Sequence, residues 1–480
     1  MGPSPLIRFL EARLSHPVPT PHWPHQPTGG LPEGSTVVIV GGGLAGSAFA
    51  RQLLMLCRRE NRSINIKLVN STGCNYCGGL VTDLARKTME QLYELEMPPN
   101  LVLEKIEGCH YVNRQGSVAV QLPAPLTSTL RTSRFGVPGF DDAIKMRILE
   151  GLEDLGHLFT LIEPTVVKRL IPPHATSSGR WRVILSRRNP DHTPQELSAD
   201  LVVLASGFNS LHKPMLNRFM KSTGYTPPPV FQASVTEVNT STALVNRVGR
   251  RVYMLDGIVP GTMLAFIPKG KNWLTLTALN KKLDFHDLRL LFAHPSIREI
   301  IDLPNPVEAL RCHVVCPAFI YSGPSPCFYG DGWVAAGDLS GYGRVLKDGY
   351  FAAFWGSWLA ARTVFYHGIT RRDFARYYHR PLHRFSRENL LGIALFNLNN
   401  SLGHRPWFNR LLLTAAREEI RGHSYGWAVH AAFRALKTGR LPYWLIGLLF
   451  LLGVGRYVFG HPLQTIKTLL CTGERSPISP

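Results

Sequence analysis

Three groups of residues in this 480-residue chain have the types and spacing to do chemistry. The first is Gly41-Gly42-Gly43-Leu44-Ala45-Gly46, which matches G-x-G-x-x-G. Gly41 permits a tight turn, Gly43 lets backbone approach a diphosphate, and Gly46 lets a helix pack closely on a strand. Leu44 and Ala45 open that helix, whose free N–H groups and dipole favour a bound anion. The second is Cys74-Asn75-Tyr76-Cys77-Gly78-Gly79, a C-x-x-C pair running into two glycines. Without a second pair it is a poor zinc site, and no metal is expected. A small-residue cavity lining is one reading, and a redox or proton-transfer thiol is the other. The third is Gly337-Asp338, a small residue and an acid at the end of an apolar run.

These groups need elements to hold them. Thr36-Val37-Val38-Ile39-Val40 is a short β-branched run, the pattern of a buried parallel strand, and it leads directly into the glycines. Ala48, Phe49, Ala50, Leu53, Leu54 and Leu56 continue at helical spacing to about Arg59. This strand, turn and helix turn a weak motif into a nucleotide-binding prediction. Ile64 to Val69 reads as the second strand. Its end normally carries an acid for ribose hydroxyls about 20 residues beyond the glycines, but this chain has Asn70. An amide also hydrogen-bonds hydroxyls, so Asn70 joins the candidate site. Leu201 to Leu204 and Trp333 to Ala336 are two further buried strands, ending in Ala205-Ser206-Gly207 and Gly337-Asp338.

Taken together, these segments resemble the geranylgeranyl-reductase-like FAD-dependent oxidoreductases of the p-hydroxybenzoate-hydroxylase-like fold. The resemblance runs from about Ser35 to about Tyr378. It is carried by Gly41 to Gly46, by Cys74 to Gly79, and by Gly337-Asp338 with Arg344-Val345-Leu346-Lys347-Asp348-Gly349. Arg134 with Phe140-Asp141 is a weaker match. The resemblance implies FAD as cofactor, with Gly337-Asp338 toward its ribityl and diphosphate section and Ala205 and Gly207 toward its adenine side. It places Cys77, Gly78 and Gly79 near the flavin, with Arg134, Lys347 and Gly349 as further cofactor contacts. Cys77 and Tyr76 are the catalytic candidates, as proton donors. Asp348-Gly349 reads equally as the cap of the helix that follows.

The implied architecture is α/β: an FAD-binding Rossmann-type domain, an inserted mixed β-sheet substrate domain and a helical C-terminal section. The divisions are a Pro-rich arm over 1–34 and the first part of the FAD domain, with interleaved segments, over 35–207. A β-rich substrate domain over 208–330, the Gly-Asp segment and its helix over 331–378, and a basic helical section over 379–480 follow. In the substrate domain, Pro260 to Pro268 resembles the family's Pro-Gly-x-Tyr-x-Trp-x-Phe-Pro strand, with Met263 and Ala265 replacing the two aromatics. That change reshapes the cavity wall and leaves the substrate open.

Composition narrows the setting. Apolar residues make up 45% of the chain, which excludes global disorder, and eight cysteines in 480 residues make no disulfide scaffold. The first 30 residues hold seven prolines and no uninterrupted apolar run, so no signal peptide is expected. The net charge of +20 calls for an anionic neighbour. Between Ser401 and Pro480 ten Lys or Arg face three acids, and within that stretch Leu441 to Gly455 carries no charge. Extended over 441–459, this run predicts peripheral or monotopic attachment to the cytoplasmic side of a membrane. A buried apolar helix is the competing reading. No DNA- or RNA-binding module is recognisable, so nucleic acid is not expected as a partner.

The expected function is reduction, or dehydrogenation, of an apolar unsaturated substrate such as an isoprenoid or other lipid by hydride transfer at flavin N5. The chain has no second dinucleotide fingerprint, so the electron donor, NAD(P)H or a redox protein, stays open. Two alternatives are a flavin monooxygenase of the same fold and a non-catalytic flavin-carrying or electron-transfer subunit of a membrane complex. The Leu339-Ser340-Gly341 that follows Asp338 departs from the Gly-Asp-Ala-Ala-His common in hydroxylases.

Overall fold

The computed structural model describes residues 29–470 apart from short stretches at 72, 76, 114, 122–126, 135–136, 188–194, 260–261, 271, 302, 304, 312, 345–348, 404, 422–427 and 440, together with Phe9 and Arg13. At its centre is a six-stranded sheet. Its strands with roles in the site are β1 (Thr36–Val40), β2 (Asn65–Val69), β3 (Phe159–Ile162), β4 (Leu201–Leu204) and β5 (Trp333–Ala335). Their order is β5-β4-β1-β2-β3, all parallel, with Tyr329–Gly330 closing the β5 edge as an antiparallel partner. Helices α1 (Leu44–Glu60) and α2 (Phe140–Met146) lie between these strands in the chain. α3 (Gly349–Tyr366) follows β5 and packs along α1, where the Ser357 hydroxyl donates to the Ala45 carbonyl at 2.8 Å. α3 is buried over nearly its whole length, which explains why its sequence shows no polar face.

A seven-stranded sheet forms the second layer. Its order is 316–321, 230–239, 273–279, 262–268, 251–259, 108–113 and 116–121. The pairings are antiparallel except between 251–259 and 108–113. Its last two strands therefore come from the region assigned to the first part of the FAD domain. Their alternating buried positions, Val118 and Val120 among them, pack against the C-terminal helices instead. Smaller antiparallel sheets are formed by 165–171, 181–187 and 196–199, and by 80–82, 102–106 and 127–130.

The C-terminal section contributes α4 (Asn389–Leu402), α5 (Pro406–Arg421), α6 (Val429–Thr438), α7 (Tyr443–Gly460) and α8 (Pro462–Leu470). These helices are tied to the body at specific points. The Arg344 guanidinium donates to the carbonyls of Gly439 and Leu441, and Arg410 Nε donates to Gln115 Oε1 at 2.8 Å.

Candidate functional site

The β1–α1 turn brings the glycines together as their spacing predicts. Gly41 has φ +110°, and a side-chain carbon there would stand 2.5 Å from the Ala205 carbonyl oxygen at the end of β4. One at Gly46 would run into the Gly41 carbonyl and crowd Ile39. At Gly43 the same carbon would meet nothing within 4 Å. Gly43 precedes Leu44 and Ala45 at the start of α1, so the turn is packed on its protein side and open on the side a diphosphate would take.

Gly337 and Asp338 come to this turn from β5. A Cβ at Gly337 would stand 2.7 Å from Ala45 Cβ. Asp338 Oδ2 lies 3.9 Å from the place a Cβ on Gly207 would occupy. Asp338 keeps exposed surface although protein atoms crowd it, so it stands in the wall of a cleft. That crowding pushes its carboxyl up to about 6. Gly349 is exposed at the first turn of α3 with nothing near its Cβ position. Lys347 lies outside the described residues, as does Tyr76.

The Cys77 segment lies where the two sheets meet. A Cβ at Gly78 would touch Ile267 at 3.2 Å and Thr277 at 3.3 Å, on two strands of the seven-stranded sheet. Cys77 Sγ accepts the Gly79 N–H at 3.3 Å and sits 3.6 Å from the Tyr350 hydroxyl on α3. Burial pushes the thiol up, while the Gly79 N–H, Tyr350 and Lys269 pull it back. Lys269, just past the 262–268 strand, has no exposed surface. Its ammonium donates to the carbonyls of Leu130 at 2.6 Å and Gly79 at 3.3 Å, and burial lowers it to about 7. Gly79 thus bonds Cys77 through its N–H and Lys269 through its carbonyl. No disulfide forms among the described residues, Cys74 and Cys77 included.

Asp141 completes the cluster. Asn75 donates to its Oδ2 at 2.5 Å, while its buried Oδ1 has no donor among the described residues. Burial first, then Asp142 and Asp338, push this carboxyl up to about 7 against the opposing pull of Asn75 and Lys145. This oxygen is one of several buried polar atoms without a partner among the described residues, and at this position it can accept from a ligand.

Two sequence candidates are engaged differently from their expected tasks. The Arg134 guanidinium forms an ion pair with Glu237 on the 230–239 strand and stacks 5.0 Å over the Trp273 ring. This ties it to the substrate sheet. Asn70 Oδ1 accepts the Gly42 N–H at 2.9 Å, and its Nδ2 donates to Glu163 Oε1 at 2.9 Å. Both ends of the amide therefore serve the glycine turn and its neighbour. Sequence reasoning did not single out Lys269, Tyr350 or Glu163. A single charge ending an apolar run was the available signal for Lys269 and Glu163, and Tyr350 directly follows Asp348-Gly349.

The geometry fits FAD. An open turn at a helix N-terminus, an acid and Gly207 beside it, an orphaned acceptor and a thiol at the sheet junction suit an elongated dinucleotide better than a compact ligand. No protein-family model and no curated protein sequence matches the chain. Among solved structures, a geranylgeranyl bacteriochlorophyll reductase-like protein from Thermoplasma acidophilum is similar with a TM-score of 0.59 at 12% identity, over 91% of this chain and 98% of its own. A flavoprotein/dehydrogenase from Cytophaga hutchinsonii is similar at 0.52 and 12% identity, over 79% and 88%. A variant of 2-methyl-3-hydroxypyridine-5-carboxylic acid oxygenase is similar at 0.54 and 14% identity, over 78% and 94%. The chain has the p-hydroxybenzoate-hydroxylase-like fold of FAD-binding flavoproteins, with geranylgeranyl-reductase-like proteins among its structural neighbours.

Proposed function

We propose that this chain is an FAD-dependent oxidoreductase that reduces an apolar unsaturated substrate, such as an isoprenoid or another lipid, at a membrane surface. The observation that carries the cofactor is the open face of Gly43 at the start of α1, in a turn that is otherwise closed by Ala205 against Gly41 and by Gly337 against Ala45. When bound, FAD supplies hydride exchange at the flavin ring. The chain's own residues do the rest. Backbone N–H groups at the start of α1 receive the diphosphate. Asp338 and Asp141 offer acceptors to hydroxyl or amide donors. Cys77 holds a transferable proton on Sγ, oriented by the Gly79 N–H and next to the Tyr350 hydroxyl. Ile267 and the Thr277 methyl against Gly78 give this end of the site an apolar wall, which favours an apolar substrate.

The membrane part rests on where apolar surface is exposed. Trp444, Leu448, Leu451, Leu452 and Phe459 are exposed on α7, while Leu445, Ile446, Leu449 and Gly453 on the same helix are buried. Leu390, Leu391 and Leu398 on α4 add to this surface, with α4 packed on α7 where Tyr443 covers Gly392. At 18 residues α7 is about 27 Å long, but one face is occupied by other helices. Lying in the interface suits it better than spanning. Arg405, Arg456 and Lys467 are exposed on or beside the same helices, so the surface proposed as partner is an anionic bilayer on the cytoplasmic side.

The test is anaerobic turnover. The purified chain should carry about one flavin per polypeptide, and its chemically reduced form should be reoxidised by a polyprenyl or polyene lipid without oxygen, yielding a more saturated product. A product that forms only with oxygen and gains an oxygen atom would establish the second reading, a monooxygenase, which the oxygenase among the structural neighbours keeps in view. A chain that binds no flavin would refute both.

A further inference from the structure

We infer that Glu163 is the carboxylate that receives the ribose hydroxyls of the cofactor's adenosine half, the task that Asn70 leaves open; the inference rests on the flavin reading above. β2 and β3 are parallel with Val69 beside Ile162, so Asn70 and Glu163 are the first residues beyond two adjacent strand ends. Nucleotides in sheets of this kind bind beyond the carboxyl ends of the strands.

Asn70 itself is committed, through Oδ1 to the Gly42 N–H and through Nδ2 to Glu163. Lys145 Nζ donates to Glu163 at 2.7 Å, on the same Oε1 that Asn70 uses. Both donors converge on one oxygen, leaving Oε2 to accept from a ligand, and the side chain retains 16% of its surface. A carboxylate is an acceptor-only group that can take both hydroxyls of a ribose diol. Glu163 is not needed merely to neutralise Lys145, because Asp142 Oδ1 also reaches that ammonium at 3.2 Å. The chain of contacts from Gly42 through Asn70 to Glu163 joins the diphosphate turn to the ribose position as one unit. The acid stands one strand along the sheet from the position usual in this kind of fold, and Asn70 holds it.

The test compares binding of FAD with that of an FAD analogue whose adenosine half lacks the 2′ and 3′ hydroxyls. The wild-type chain should prefer FAD by about ten- to a hundredfold, the usual range for hydrogen bonds to a charged group. Glu163→Ala should bind both compounds with equal affinity. Glu163→Gln, which keeps an oxygen for Asn70 and Lys145, should retain native circular dichroism and melting temperature while losing most of the preference. Equal binding of both compounds by the wild type, or an unchanged preference in Glu163→Gln, would overturn the assignment. Failure of the wild type to bind either compound would overturn the flavin reading and this assignment with it.

Discussion

Gly337 lies so close to Ala45 that a side-chain carbon added to it would stand 2.7 Å from Ala45 Cβ. This contact joins the end of β5 to the first turn of α1, and Gly337 also holds φ +64°. Gly337→Ala should therefore separate the two halves of the cofactor cleft. We expect a loss of about 1–3 kcal/mol in unfolding free energy, the usual cost of overpacking, together with loss of bound flavin. Denaturant unfolding and flavin absorbance of the purified variant check both.

The two ends of the glycine turn should respond in opposite ways. Gly43 has φ −72° and open space beyond it, so Gly43→Val should fold within about 0.5 kcal/mol of wild type. It should nevertheless fill the diphosphate cradle and weaken FAD binding by about a hundredfold, equivalent to about 2.7 kcal/mol. Gly46→Ala should lower stability itself, because its side chain runs into the Gly41 carbonyl. Melting temperature and flavin titration separate the cases.

Asp141 gives a pH signature. Burial pushes its carboxyl up to about 7 in the fold from the ordinary 3.8. Below both values it is neutral in either state and contributes nothing. As pH rises from about 4 through 7, the unfolded chain ionises more readily, so stability falls and the full cost is present above about pH 7. Asp141→Asn keeps an acceptor for Asn75 and removes that cost. The variant should exceed wild type by about 1–3 kcal/mol near pH 8 and match it near pH 4, measured by unfolding of flavin-free protein.

Lys269 should tune the chemistry of Cys77. The charged and titratable groups that act on this thiol are Lys269, Tyr350 and Asp141, and Lys269 pulls its pKa down while Asp141 pushes it up. Because burial brings Lys269 to about 7, much of its charge is gone where the thiol ionises. Lys269→Met should therefore shift the pH midpoint of Cys77 alkylation upward only slightly, whereas Lys269→Arg, which stays charged, should shift it downward. Peptide-resolved mass spectrometry after iodoacetamide treatment from about pH 6 to 10 reads it. An unchanged midpoint in Lys269→Arg would leave Lys269 with a purely structural role.

The exposed apolar surface of α4 and α7 should bind lipid. Vesicles with an anionic phospholipid should float the chain, and purely zwitterionic vesicles should do so less, with added salt narrowing the difference. Leu451→Glu with Phe459→Glu should reduce flotation about tenfold or more while leaving flavin content unchanged. These two residues are 73% and 87% exposed, so the fold does not depend on burying them.

Read alone, the sequence determined the units whose geometry is encoded by strong local patterns along the chain. The β1–turn–α1 unit was legible because three glycines, a β-branched run and a helical apolar stripe each encode local geometry. The buried runs at β2, β4 and β5 were legible for the same reason, as was the charge-free stretch that became α7. What only the tertiary structure decided is which distant side chains meet. It paired Arg134 with Glu237, set Lys269 and Tyr350 around Cys77, and placed Glu163 beside Asn70 by aligning β3 with β2. None of these contacts has a local signature, because strand order and register arise from burial across the whole sheet. Asn70 is legible at the end of its own strand, whereas the carboxylate it bonds stands at a neighbouring strand end whose place only the sheet order sets.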